Sequence, residues 1–354
     1  MLQRLRERFG VTDIFMWVLG GALLIAIIYG SFATLASGAY TTRQWFDLII
    51  SGFSQGSIYA LIALGYTLVY GVLRMINFAH SEVFMSGAYI GFFVADALNR
   101  SGFLQANPVV GLLIVFVFAM LTSLTVATLL ERIAYRPLRR APRLVPLITA
   151  IGASFFLQYI FRGLFGSKFK PYPDIAALSG NITIAEGFNI GKIELLVIIS
   201  AALLMFVLYL YVQNTKAGKA MRAVAEDKDV AALMGINVDS AIVRTFMLGG
   251  AMAGAAGVLY ALTFRNISYF MGFIPGIKAF TAAVLGGIGN IPGAMLGGLF
   301  LGLIESVGPS LFLQGLSIPA PYQLKDAIAF TMLVMVLIFR PSGILGEQVA
   351  VKKA

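Results

Sequence analysis

The chain has 354 residues, of which 59% are hydrophobic and 12% charged, against about a quarter charged in ordinary soluble domains, and that balance excludes a soluble core. With no cysteine and one histidine, disulfides, thiolate metal sites and a thiol nucleophile are excluded, and no metal or other cofactor is expected. A formal net charge of +10 would point to nucleic acid in a soluble protein, but here the basic residues sit in short connections between apolar runs; they are a topology signal, and no nucleic-acid partner is expected.

The first apolar run, residues 14–36, follows Arg4, Arg6 and Arg8 as a secretory leader would. Its length and its lack of a small-residue cleavage site read instead as a retained helix. Further runs at 46–73, 77–95, 108–130, 144–163, 194–213, 241–263, 275–289, 290–307 and 322–340 bring the expected spans to ten, most near the roughly 17–25 residues that cross a bilayer as helix. The runs at 77–95 and 275–289 are short or broken by Gly, Asn and Pro, so each is either a straight span or a re-entrant or discontinuous helix. The fold class is all-α, a polytopic transmembrane bundle of about ten spans in contact with membrane lipid.

Four basic groups then orient the bundle: Arg4, Arg6 and Arg8; Arg132, Arg136, Arg139, Arg140 and Arg143; Lys216, Lys219, Arg222 and Lys228; and Lys352 with Lys353. All fall on one side when ten spans alternate, which places both termini in the cytoplasm. The connections 96–107, 166–193, 265–274 and 308–321 lie on the other side and are less basic and richer in turn residues. Residues 1–45 form a basic leader with an additional first helix, 46–347 the membrane domain, and 348–354 a cytoplasmic tail. A Gly-rich, Asn-containing hairpin near 71–87 is echoed near 286–298, as in a transporter repeat or as glycine-rich segments resemble one another without one.

Small-residue spacings occur at Gly52 and Gly56, Gly87 and Gly91, Gly250 and Gly254, and Gly298 and Gly302. They suit close backbone approach within the subunit more than a dedicated dimer motif. The segment Leu285 to Gly293 holds Gly286, Gly287, Gly289, Asn290 and Pro292, enough breakers to interrupt regular backbone bonding. Gly286, Gly287 and Gly289 are therefore candidates for a gate or pathway wall, with a plain cytoplasmic hairpin as the alternative. The segment lacks the Lys-Ser/Thr and strand context of a phosphate loop, so this chain is not expected to bind ATP.

Asn77, His80 and Glu82 form the densest polar cluster in the apolar part of the chain. On a continuous helix Asn77 shares a face with His80 or Ser81 and the cluster would point at a polar pathway; otherwise it caps the third helix at a cytoplasmic turn. No serine motif or suitably spaced carboxylate accompanies His80, and no catalytic residue is expected. Between spans six and seven, residues 214–238 are patterned beyond a casual loop. Met221, Val224, Ala225, Ala232 and Leu233 form a modest apolar face, Glu226 to Asp229 mark a charged turn or helix start, and Gly235 suits a helix stop. Such a helix would dock in a groove on a cytosolic partner or lie on the membrane surface.

At these residues the chain resembles the permease subunits of bacterial branched-chain amino acid importers, which are ATP-binding-cassette systems. The resemblance covers roughly residues 46–347 and is carried by Gly56 to Gly71, Ile76 to His80, Ala225 to Asp227 with Leu233 to Asn237, Lys278 to Gly289, and Arg340 to Gly346. It implies a second homologous permease, two cytosolic ATP-binding-cassette ATPases and an external solute-binding protein. It also implies that Ala225, Glu226, Asp227 and Gly235, and with them Arg222 and Leu233, belong to a loop at 214–238 that engages an ATPase. It assigns no substrate contact to Asn77 or His80, and no function to residues 1–45. The expected function is translocation by alternating access of branched-chain or other neutral amino acids; related permeases carry urea or amides. An ion-coupled transporter or channel would show buried carboxylates, whereas Asp47, Glu82, Lys278, Glu305, Lys325 and Asp326 are all expected near span ends.

Overall fold

A computed structural model of the protein describes residues 11–346 apart from 140, 143, 186, 187 and 341. The basic residues Arg4, Arg6, Arg8, Arg140, Arg143, Lys352 and Lys353 and the tail at 348–354 lie outside the described residues. In lipid every backbone polar group must be satisfied within the protein, and the apolar runs accordingly fold as helices. In chain order these are α1 (Val11–Ser37), α2 (Thr42–Leu73), α3 (His80–Arg100), α4 (Pro108–Leu129), α5 (Leu144–Phe165) and α6 (Lys192–Asn214). After them come α7 (Lys216–Glu226), α8 (Lys228–Leu233), α9 (Val238–Phe264), α10 (Phe273–Gly286), α11 (Ile291–Gly308) and α12 (Lys325–Phe339). Among the described residues nine helices are long and apolar enough to span a bilayer, and α10, with 14 residues, is the short apolar tenth.

Of the two runs expected to be short or broken, only the second is. The third span starts at His80 rather than 77 and continues unbroken to Arg100, preceded by non-helical residues from Arg74 to Ala79. The connection at 166–193 carries structure that apolar periodicity does not show. Its strand β1 (Lys170–Pro171) pairs antiparallel with β4 (Asn266–Ile267), and β2 (Asn181–Ala185) with β3 (Phe188–Gly191).

The core is built on α2 and α9, whose spans are largely buried, while α1 and α12 lie at the periphery with Trp17, Ile25, Phe32, Val334 and Leu337 turned outward. All four small-residue spacings are used inside the subunit. Gly52 and Gly56 on α2 meet Gly298, Leu299, Gly302 and Leu303 on α11, backbone against backbone. Gly87 and Gly91 on α3, and Gly250 and Gly254 on α9, close on one another and on Ser123 and Ala119 of α4. α1 joins through Gly30, which abuts the backbone of Phe312, and through Trp17, 5.7 Å from Phe339.

Most charges that enter this core do so in company. Lys278 and Glu305, expected near span ends, are instead buried with 4% and 1% of their side chains exposed and paired across α10 and α11, with Asp326 of α12 at 2.6 Å from Lys278 Nζ. Where α4 ends, Arg139 binds both buried Glu131 and Asp239 at the start of α9, and Arg136 reaches Asp239 at 2.7 Å. Pairing lowers the cost of desolvating each charge, so a buried ion pair persists where a single ion would not.

Two stability effects follow. Gly302→Val places a branched side chain against the backbone of Gly56 and Gly52; it should cost about 1–3 kcal/mol or more and lower the melting temperature of the detergent-purified protein, whereas Gly152→Ala, inside α5 with nothing within 4 Å, should not lower it and should raise it slightly. Lys278→Met strands Glu305 and should cost about 3–5 kcal/mol, and the double replacement with Glu305→Leu should recover most of it in the same melting assay.

Candidate functional site

The candidate residues fall in three places. The first is the start of α3. Asn77, His80 and Glu82 are all buried, with 2%, 2% and 0% of their surface exposed, so they do not form a solvated capping turn, and Ala79 rather than Asn77 or Ser81 occupies the N-cap without a side-chain cap bond. Asn77 lies before the helix and accepts the Tyr135 hydroxyl at 2.5 Å on Oδ1, tying the α2–α3 connection to the end of α4. The His80 imidazole stands edge-on to Tyr66 at 4.9 Å and fills the space that a Cβ on Gly65 would need. Glu82 reaches into α5, where Gln158 Nε2 donates to its Oε1 at 2.8 Å and Ser154 Oγ at 3.2 Å. Tyr135, Ser154 and Gln158 were not singled out from sequence, although Ser154 and Gln158, four residues apart in an apolar run, are the spacing that puts two polar groups on one helical face.

The second is the turn from α10 to α11. Gly287 and Gly289 have φ of +105° and +98°, a region that side-chain-bearing residues avoid. The carbonyls freed at the end of α10 are taken up by the segment that follows α12: Ile344 N donates to Leu285 O at 2.8 Å and Leu345 N to Gly286 O at 3.0 Å. Asn290 fastens the turn from both sides, since its Oδ1 accepts from Gly293 N at 3.0 Å as the N-cap of α11 and its Nδ2 donates to Leu345 O at 2.9 Å. A Cβ on Gly287 would collide with Gly346. This break is a closed hairpin, and Gly71, at the end of α2, faces Gly289 across it.

The third is the α7–α8 element. Thr215 caps α7 by accepting from Gly218 N at 3.0 Å, and Asp227 caps α8 by accepting from Asp229 N and Val230 N at 2.8 and 3.0 Å. α8 ends in a Schellman motif: Gly235 has φ +80°, its N–H donates to Ala232 O at 3.0 Å, and Ile236 N donates to Ala231 O at 3.0 Å. The single apolar face expected here is divided in two. Met221, Val224 and Ala231 are buried against the bundle, while Leu233 and Met234 are 86% and 78% exposed, with Val230 beside them also exposed.

Arg222 bonds the carbonyl of Gln213 at 3.2 Å and so stays with α6. Ala225 O accepts from Arg74 Nη2 at 2.9 Å, which joins the element to the last turn of α2 and so to the first group of candidates. Burial, and then the guanidiniums of Arg139 and Arg74 nearby, hold the Lys228 ammonium below its ordinary value. The polar start of α3, the α10–α11 hairpin and the α7–α8 element thus all attach to α2, by way of Gly65, Gly71 and Arg74 respectively.

Over residues 48–337 the chain matches the family described as "Branched-chain amino acid transport system / permease component". It is 45% identical over 308 residues, covering 86% of this chain and 96% of the relative, to the high-affinity branched-chain amino acid transport system permease protein BraD of Pseudomonas aeruginosa. It is 42% identical over 313 residues, 87% of this chain and 96% of the relative, to the corresponding permease protein LivH of Escherichia coli K12. The autoinducer 2 import system permease protein LsrC of Yersinia pseudotuberculosis is 29% identical over 334 residues, covering 90% and 84% of the two chains. The family match begins after α1 and takes in all three groups of candidate residues. The chain therefore belongs to the branched-chain amino acid transport permease family, as a multi-pass membrane component and not an enzyme.

Proposed function

We propose that this chain is one of two homologous permeases in an ATP-driven, binding-protein-dependent importer of branched-chain or other neutral amino acids. It sits in the bacterial plasma membrane with both termini cytoplasmic, receives substrate from an external solute-binding protein, and is driven by two cytosolic ATP-binding-cassette ATPases. The substrate class rests on relatives that transport branched-chain amino acids, such as those of Pseudomonas aeruginosa and Escherichia coli.

The observation that carries the coupling role is the α7–α8 element. Met221 and Val224 anchor it to the bundle, and Val230, Leu233 and Met234 project from it among exposed Glu226, Asp227 and Asp229. An apolar ridge rimmed by charge fits a groove on a partner protein. Glu226, Asp227 and Asp229 beside the ridge offset Lys216, Lys219, Arg222 and Lys228 of the same element, which leaves it nearly neutral rather than the strongly basic helix that an anionic membrane surface attracts. Closure of the ATPases would push on α8; Arg74 and the buried face of α7 would pass the displacement to α2, and the contact of α2 with α11 would carry it through the bundle. Asn77, His80 and Glu82 form the pathway wall in this reading, and the hydrogen-bonded turn at Gly286, Gly287 and Gly289 the seam at its gate. The outcome is alternating access, a rigid-body exchange between inward- and outward-open arrangements.

Radiolabelled leucine uptake into proteoliposomes should require ATP, both permeases, the ATPases and the binding protein together; uptake by this chain alone, driven by an ion gradient, would overturn the proposal. Leu233→Asp, which removes the projecting anchor, and Gly235→Trp, which forces a side chain into the left-handed region at about 1–2 kcal/mol, should each cut uptake severely while leaving membrane insertion intact. Wild-type uptake in both variants would remove the α7–α8 element from the coupling path.

A further inference from the structure

Among the described residues three glutamates are buried: Glu82, Glu131 and Glu305. Glu131 is held by Arg139 and Glu305 by Lys278, but Glu82 has no cation within ion-pair distance. Its Oε1 takes neutral donors only, Gln158 Nε2 at 2.8 Å and Ser154 Oγ at 3.2 Å. Ser81 Oγ is also 3.2 Å away, but its single proton is contested by the Phe78 carbonyl at 2.9 Å. Oε2 accepts no hydrogen bond among the described residues. It is turned toward Gly272, just before α10, where an added Cβ would stand 3.3 Å from it.

An unpaired carboxylate costs several kcal/mol to bury. The dipole of α3, which Glu82 meets in the first helical turn, returns at most about 2 kcal/mol. Nor does α5 supply a counterion: Arg162, four residues beyond Gln158, lies instead over the rings of Tyr159 and Tyr269 at 5.9 and 5.4 Å. Either a proton on the carboxyl or a positive group that no described side chain provides must meet the remaining cost.

We propose that Glu82 Oε2 is the acceptor for the primary ammonium of the transported amino acid as it passes between α3, α5 and the Gly272 turn. The proposal rests on the importer reading above and gives one of its wall residues a chemical task. A zwitterion crossing a low-dielectric passage must have its ammonium neutralised, yet must leave again. Gln158 and Ser154 orient the carboxyl through one oxygen and leave the other free to accept. A fixed lysine, as at Glu305, would close such a site.

The chain has no cysteine, so Ser154→Cys gives a single thiol beside Glu82. In the assembled importer this thiol should react faster with the cationic reagent aminoethyl methanethiosulfonate than with its anionic sulfonatoethyl counterpart. Excess leucine should slow the cationic reaction, and adding Glu82→Gln should abolish the preference. In transport, Glu82→Gln should lower leucine uptake at least about ten-fold, as loss of a buried charge partner does, and Glu82→Asp should keep part of it. Equal reaction with the two reagents, or wild-type uptake by Glu82→Gln, overturns the proposal. So does a cationic preference that leucine leaves unchanged, which would assign the site to another amine such as a lipid headgroup. The reagent preference is scored whether or not uptake occurs, so a wild-type importer that fails to take up leucine counts against the importer reading alone.

Discussion

In a bilayer, apolar side chains gain nothing by leaving their surroundings for one another, because lipid tails are as apolar as they are. What joins α2 to α11 is therefore close backbone packing, made where Gly52 and Gly56 meet Gly298 and Gly302. The rest of the bundle is arranged around that seam. α9 reaches α2 where Gly249 faces Gly65, α3 inserts His80 at the same level, and α10 folds back on α11 through Gly286 and Gly293. Glycine in a helix interior sacrifices about 0.5–1 kcal/mol of propensity relative to alanine, and dispersion between closely packed backbones offsets it.

A second constraint is electrical. Inside the bundle two short closed sets, Lys278 with Glu305 and Asp326 and Arg139 with Glu131 and Asp239, each bridge two or more helices, and Glu82 stands outside both. These sets also fix geometry, since an ion pair in a low dielectric tolerates little sliding of one helix past another. The α4–α9 contact is locked by Arg139 at the end that carries α7 and α8, and the α10–α11–α12 contact by Lys278 farther along. A rigid-body exchange would have to keep or re-form both.

Much of this was legible in the sequence for a plain reason. Apolar runs of bilayer length permit only helix, and all ten expected runs are helical in the structure, with the start of α3 displaced by three residues and only α10 left short. Asp227 and Gly235 announce the start and stop of α8 because capping is a local matter of two or three residues. What stayed hidden depends on partners distant in the chain. Charged residues such as Lys278 and Glu305 look like span ends until the fold brings them together. The apolar positions of α7 and α8 look like one face until the turn at Asp227 rotates Leu233 away from Met221. The role of the glycine break also eluded a local reading, because the carbonyls it frees are satisfied by Ile344 and Leu345, more than fifty residues later.

That last contact bears on how the protein is made. The peptide groups exposed where α10 turns into α11 have no partner until the segment around Ile344 and Leu345 has been synthesised, and that segment leaves the ribosome only after α12. Insertion of the earlier helices therefore yields a bundle whose seam at this turn is still open. Closing it requires residues that follow α12. The same few residues that satisfy a turn in the mature fold are thus among the last to take their place in it.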